Sequence, residues 1–196
     1  MTDKTDKLHQ LLTASSKTVF TTRDLGNIWA YENYNSLLER IEYFTKTNRL
    51  QKLRKGIYAI AGIDVNELEL ANKLRSPSYI SFETVLHKDG VTFQWDKRIT
   101  LASNESINLK VDGHNIIFRQ IKDSVLLNKA DIIDEKNYYI ATKERALLDM
   151  LYINSSFQFD NLRGMNFEKI NDLLDIYKRK SLNNIVKNLK KHARSY

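Results

Sequence analysis

The sequence predicts an α+β protein: an N-terminal winged helix-turn-helix over residues 1–62, a connecting helix within 63–76, and a mixed α/β domain over 77–196 that ends in two helices. Three observations carry this expectation. Three short segments with helical apolar spacing precede Arg49-Leu-Gln-Lys-Leu-Arg-Lys-Gly-Ile-Tyr-Ala-Ile60, which alternates like a β-hairpin around a glycine turn. The only proline, Pro77, then marks the entry to a series of short strand-like runs. From Phe167 onward the apolar residues return to helical spacing.

Element by element, Asp3 to Ala14 carries Leu8, Leu11 and Leu12 at i, i+3 and i+4, the stripe of a short amphipathic helix. Lys17 to Phe20 is a brief extended piece. Thr21 and Thr22 can cap a second helix, Arg23 to Ile28, with Asp24 favoured at its positive end. Trp29 to Tyr34 forms a turn. A third helix runs from Asn35 or Ser36 to Thr47, with Leu37, Leu38, Ile41, Phe44 and Thr45 inward and Ser36, Glu39, Arg40, Tyr43 and Lys46 outward. The hairpin turns at Arg54-Lys55-Gly56, where glycine supplies a positive φ. Val65 to Leu74 is the connecting helix.

In the second part, Ser81 caps a helix to Lys88, and strands are expected at Ile99–Ser103, Ile107–Val111, Asn115–Ile121 and Tyr138–Ala141. Asp112-Gly113 is a hairpin turn. Thr142 opens a helix with Ala146, Leu147, Met150 and Leu151 inward, and helices at Phe167–Arg179 and Leu182–His192 close the chain.

The composition bounds the function. Of 196 residues, 42% are hydrophobic and 28% charged, with six glycines, which is the balance of a chain that folds over most of its length. Cysteine is absent, which excludes disulfides, thiolate metal sites and cysteine nucleophiles and fits a reducing, cytoplasmic setting. No apolar run approaches the ~18 residues of a membrane span, and nothing directs the chain to a membrane or out of the cell. The net charge of +7 is unevenly spread. Residues 1–62 hold ten Lys/Arg against six Asp/Glu, residues 63–177 fourteen against eighteen, and residues 178–196 seven against none. Basic ends suggest a polyanionic partner.

Three helices followed by a hairpin is the order in which the third helix enters the DNA major groove and the hairpin touches the flanking backbone. Tyr34, Asn35 and Ser36 at the start of that helix can bond base edges or phosphates. Arg40 can fork onto a guanine or a phosphate, and Tyr43 is expected on the same side. Arg54 and Lys55 at the hairpin tip, with Lys52 on the strand, would meet phosphates, as would Thr22 and Arg23 at the second helix start. Glu39 and Glu42 weigh against DNA, although a glutamate can accept from a cytosine amino group. The competing readings are a protein-docking module and an RNA-binding protein with a basic tail.

Features of an enzyme are missing. No phosphate-binding glycine loop, His-x-x-x-His spacing or Gly-x-Ser-x-Gly element occurs. His9, His87, His114 and His192 are scattered, with His87 near a helix end and His114 in a turn. Lys143, Glu144, Arg145 and Asp149 form the densest charged group, but Glu144 and Asp149 lie about 140° apart around a helix at about 100° per residue. Arg145 and Asp149, at i and i+4, read as an ion pair, and Trp29 and Trp95 as core. The expectation is a regulator without catalysis, cofactor or metal.

Four segments carry a resemblance. Phe20-Thr-Thr-Arg-Asp-Leu25, Leu53-Arg-Lys-Gly-Ile-Tyr-Ala59, Pro77-Ser-Tyr-Ile-Ser-Phe-Glu83 and Ile140-Ala-Thr-Lys-Glu-Arg-Ala-Leu-Leu-Asp149, in this order, resemble the AbiEi family of antitoxins over residues 8–155. The resemblance implies a bacterial antitoxin from an abortive-infection, phage-defence operon whose partner gene encodes a nucleotidyltransferase-like toxin. It implies that the winged helix binds repeats in the operon promoter and represses it, with contacts on the third helix and on Arg54 and Lys55. The C-terminal domain would counter the toxin, directly or indirectly.

Overall fold

The computed structural model describes residues 7, 10–13, 16–94 and 96–193, and divides the chain between Leu74 and Arg75. In the first unit, strand β1 (Val19–Thr21) leads directly into helix α1 (Thr22–Ile28). Thr21 alone is the cap. Its side chain accepts the N–H of Asp24 while the Asp24 carboxylate accepts the N–H of Thr21, a reciprocal box that satisfies two end donors. Helix α2 (Tyr34–Lys46) starts earlier than its apolar stripe suggests, because Asn33 is the cap. Strands β2 (Leu50–Arg54) and β3 (Ile57–Ile60) form the hairpin, and β3 pairs antiparallel with both neighbours in the order β1-β3-β2.

The core of this unit gathers Leu11, Phe20, Leu25, Trp29, Leu37, Ile41, Phe44, Leu50, Tyr58 and Ile60. Each large apolar side chain so buried stabilises the fold by about 1.5–3 kcal/mol. Gly26 lets α1 close on α2, since a Cβ there would stand 3.0 Å from Leu37 Cδ2. Two inward assignments do not hold: Leu38 and Leu12 are exposed. Each follows a buried leucine, Leu37 or Leu11, by one residue and so lies about 100° around the helix from it, and the three buried α2 residues, Leu37, Ile41 and Phe44, make a narrower face. Thr45 is half-buried and donates back to the Ile41 carbonyl. Leu8 and Ala14, part of the expected first helix, lie outside the described residues.

Helix α3 (Glu67–Lys73), capped by Asn66, belongs to the first unit. Its buried Glu69 accepts from both the N–H and the hydroxyl of Thr18 at 2.9 Å.

The second unit is built on a mixed sheet of order β6-β7-β5-β4-β9-β8. Its strands are β4 (Ser78–Ile80), β5 (Ile99–Ser103), β6 (Ile107–Val111), β7 (His114–Gln120), β8 (Ile132–Asp134) and β9 (Tyr139–Ala141). Two pairings are parallel, β4 with β9 and β5 with β7. Strands β4 and β8, three residues each, are too short to show a period, and neither is expected from the sequence. The Asp112-Gly113 turn joins β6 to β7 with both φ angles positive, as a tight hairpin requires. His114 opens β7 rather than sitting in the turn.

Helices α4 (Glu83–Lys88), α5 (Asp123–Leu126), α6 (Lys143–Ile153), α7 (Phe167–Tyr177) and α8 (Lys180–Ala193) complete the unit, so it is α+β and ends in two helices. Ser81 does not cap α4. Its hydroxyl goes to Asp149, and Phe82 takes the position before the helix at φ +57 without a side-chain cap. Thr142 does cap α6, accepting the N–H of Arg145.

Candidate nucleic-acid interface

The hairpin turn and the first turn of α1 are joined by backbone chemistry. Strand β2 carries one extra residue, Leu53, between the Lys52–Tyr58 and Arg54–Ile57 pairs, a bulge that re-aims the strand before the turn. Gly56 follows at φ +78, which side chains disfavour. Its carbonyl accepts the N–H of Thr22 at 3.0 Å, and the Thr22 hydroxyl lies 3.5 Å from the same oxygen. Thr22 therefore has a partner inside its own unit. The same bond draws together the exposed neighbours Arg23 and Lys55. Lys52 and Arg54 are exposed along β2.

Asp24 anchors this corner. Burial pushes its carboxyl up, but hydrogen bonds from Lys17 and Thr21 and the nearby Lys73 ammonium outweigh burial and bring it down to about 2. Lys17 Nζ stands 2.8 Å and Lys73 Nζ 3.7 Å from its oxygens.

On α2 the structure separates the predicted residues. Tyr34, Asn35 and Ser36 are exposed, Tyr34 at 63%. Asn33 Oδ1 already accepts the N–H groups of Asn35 (2.9 Å) and Ser36 (3.1 Å), so these amides are not offered to a phosphate. Arg40 is half-buried and donates Nε–H to the Tyr31 hydroxyl at 3.0 Å. Tyr43 is half-buried too, packed on the core with its ring edge-on to Phe44 at 5.8 Å. The outward arc instead holds Leu38, Glu39, Glu42 and Lys46 beside Asn35. The Lys46 ammonium bonds Glu42 at 2.7 Å and holds its carboxyl below the usual range.

Sequence reasoning missed Asn33, Tyr31 and Leu38. An asparagine just ahead of the helix was a legible cap. The Tyr31–Arg40 contact was not, because it depends on how the turn between α1 and α2 folds back.

The second unit holds a sealed polar cluster. Asp149 Oδ2 accepts from the hydroxyls of Tyr79 (3.0 Å) and Ser81 (2.7 Å), and Oδ1 from Tyr177 (2.7 Å). Arg145 Nε stands 3.4 Å from Oδ1, and its Nη2 donates to Tyr79 and to the Val125 carbonyl. Arg145 and Asp149 are both wholly buried. Burial raises the Asp149 carboxyl against the opposing pull of Arg145 and the three hydroxyls, and burial lifts both tyrosines well above their usual range. Glu144 faces elsewhere, accepting from Asn166 N–H at 3.2 Å. A cleft of about 290 Å³ is lined in part by Lys88, Lys143, Lys169, Asp89, Glu135 and Glu144, whose charges balance. On α8, Leu182 and Val186 are buried while Lys180, Lys187 and Lys191 are exposed. Trp29 is core, as expected, and Trp95 lies outside the described residues.

Among the described residues no helix is long and apolar enough to cross a membrane. No family model and no curated protein matches the chain. Among solved structures the chain is similar to the protein RV2827C from Mycobacterium tuberculosis, at 13% identity and a TM-score of 0.50, over 88% of this chain and 71% of that one. At that identity the likeness concerns the fold alone.

Proposed function

We propose that the first unit is a winged helix-turn-helix that binds double-stranded DNA, with α1 and α2 as the helix-turn-helix and the β2–β3 hairpin as the wing. The observation that supports this reading is the Thr22–Gly56 tie. It sets a basic turn against a helix start in a unit whose order is strand, helix, helix, hairpin, so that Arg23, Lys52, Arg54 and Lys55 supply phosphate contacts beside an exposed helix.

On the strength of the four AbiEi-like segments, the chain is an antitoxin that represses its own toxin–antitoxin operon in the cytoplasm. It counters a nucleotidyltransferase-like toxin and needs no catalysis or cofactor of its own. The exposed acids Glu39 and Glu42 favour a second reading, a protein-docking adaptor.

Binding of the full chain to duplexes from upstream of its gene, followed by fluorescence anisotropy at several salt concentrations, tests the DNA reading. Saturable, salt-sensitive binding that exceeds binding to a scrambled duplex supports it. Equal and negligible binding to both sinks it. Co-expression with the neighbouring gene product, scored by growth, tests the antitoxin role.

A further inference from the structure

Tyr34 and Leu38 form an unexpected feature of α2. They stand one helical turn apart, at i and i+4, and are 63% and 38% exposed. Leu38 was expected in the core, and the three buried residues of the helix leave it outside. Between and beyond them the outward arc offers the amide of Asn35, the carboxylates of Glu39 and Glu42, and the ammonium of Lys46 paired with Glu42. Arg40 donates its Nε–H to Tyr31.

We propose that Tyr34 and Leu38 read the C5-methyl groups of thymines in the major groove, so that the preferred DNA is rich in A·T pairs at the positions under the first two turns of α2. This rests on the DNA-binding reading of the first unit and names the base class that reading left open. In the major groove, thymine presents a methyl group that only an apolar side chain can reward, and adenine presents the donor–acceptor pair that an asparagine matches. Asn35 is placed for the adenine, and Glu39 can accept only from a cytosine or adenine amino group. Four residues at about 1.5 Å each set the two apolar contacts about 6 Å apart along the helix, within about two base steps of about 3.4 Å. The exposed basic side chains of the same unit, Arg23 at the start of α1 and Lys52, Arg54 and Lys55 on the hairpin, argue for DNA as the occupant of this apolar pair.

The test starts from duplexes enriched by the full chain from a random-sequence pool. Each thymine of the enriched motif is then replaced by uracil, which lacks only the methyl. The expected result is two neighbouring positions at which uracil weakens binding about fourfold each, the factor carried by one buried methyl-sized group. Leu38→Ala should make thymine and uracil equivalent at one of them and Tyr34→Ala at the other. The uracil series uses the unaltered protein, so it does not depend on how the variants fold. An enriched motif indifferent to uracil, or a Leu38→Ala protein that keeps the full discrimination, overturns the proposal. A pool that yields no motif and no binding overturns the DNA reading itself, and this inference with it.

Discussion

Arg40 donates its Nε–H to the Tyr31 hydroxyl at 3.0 Å, across the turn that joins the two helices of the first unit. Tyr31 is itself held on two other sides: the Lys7 ammonium lies 4.3 Å above its ring, and the Trp29 ring meets it edge-on at 6.4 Å. Arg40 thus ties α2 back to the turn that precedes it.

A double-mutant cycle on this pair separates positioning from base contact. Tyr31→Phe and Arg40→Ala should each lower stability by about 1 kcal/mol, with the double variant losing little more than either single one. In DNA binding, Tyr31→Phe should reproduce most of the Arg40→Ala defect. If Arg40→Ala weakens specific binding while Tyr31→Phe leaves it intact, Arg40 touches DNA itself.

At the hairpin, Arg54→Ala with Lys55→Ala should weaken binding to specific and nonspecific duplexes alike. The slope of log K against log salt should flatten by about two, one for each phosphate contact removed. Anisotropy titrations over a range of salt read this directly, and an unaltered slope would place the wing away from the phosphates.

Asp24 makes the first unit sensitive to acid. Its folded carboxyl is at about 2, below the ordinary 3.8. The stability it contributes is therefore fully present above about pH 4 and is lost as pH falls through 2. The shift corresponds to roughly 2 kcal/mol. Asp24→Asn should cost about that much at pH 7 and progressively less toward pH 2. Hydrogen exchange of the core amides of Leu25 and Phe44 follows it, and a cost independent of pH would show that the charge of Asp24 is not what stabilises the corner.

In the second unit, Asp149→Ala leaves the Arg145 guanidinium buried without a counter-charge and should destabilise the unit by about 3–5 kcal/mol. Tyr177→Phe removes one hydrogen bond and should cost about 1–2 kcal/mol. The raised hydroxyls of Tyr79 and Tyr177 add a pH signature. Their contribution is present below the ordinary tyrosine value near ~10 and is lost as pH rises toward the folded one. Alkaline difference spectra should show two tyrosines that ionise only on unfolding, and a smooth titration of all ten in the folded protein would contradict the buried cluster.

The amino-acid sequence by itself determined the features that short-range chemistry controls. The Gly56 turn, the Asp112-Gly113 hairpin and the Thr142 cap each follow from a residue acting on backbone within four positions of itself. The buried stripe of Leu37, Ile41 and Phe44 follows from helical spacing. Tertiary structure decided what depends on distant partners. Ser81 looks like a helix cap until Asp149, far along the chain, takes its hydroxyl. Strand β4 exists because β5 and β9 pair with it on either side, and three residues alone carry no period to announce that. The outward face of α2 was shifted in the same way: the Tyr31 hydroxyl drew Arg40 aside, Phe44 drew Tyr43 inward, and Leu38 was left in the open. Periodicity assigns a residue to a face only to within the width of that face, and at its margins the side chain goes wherever a partner from elsewhere in the chain satisfies it.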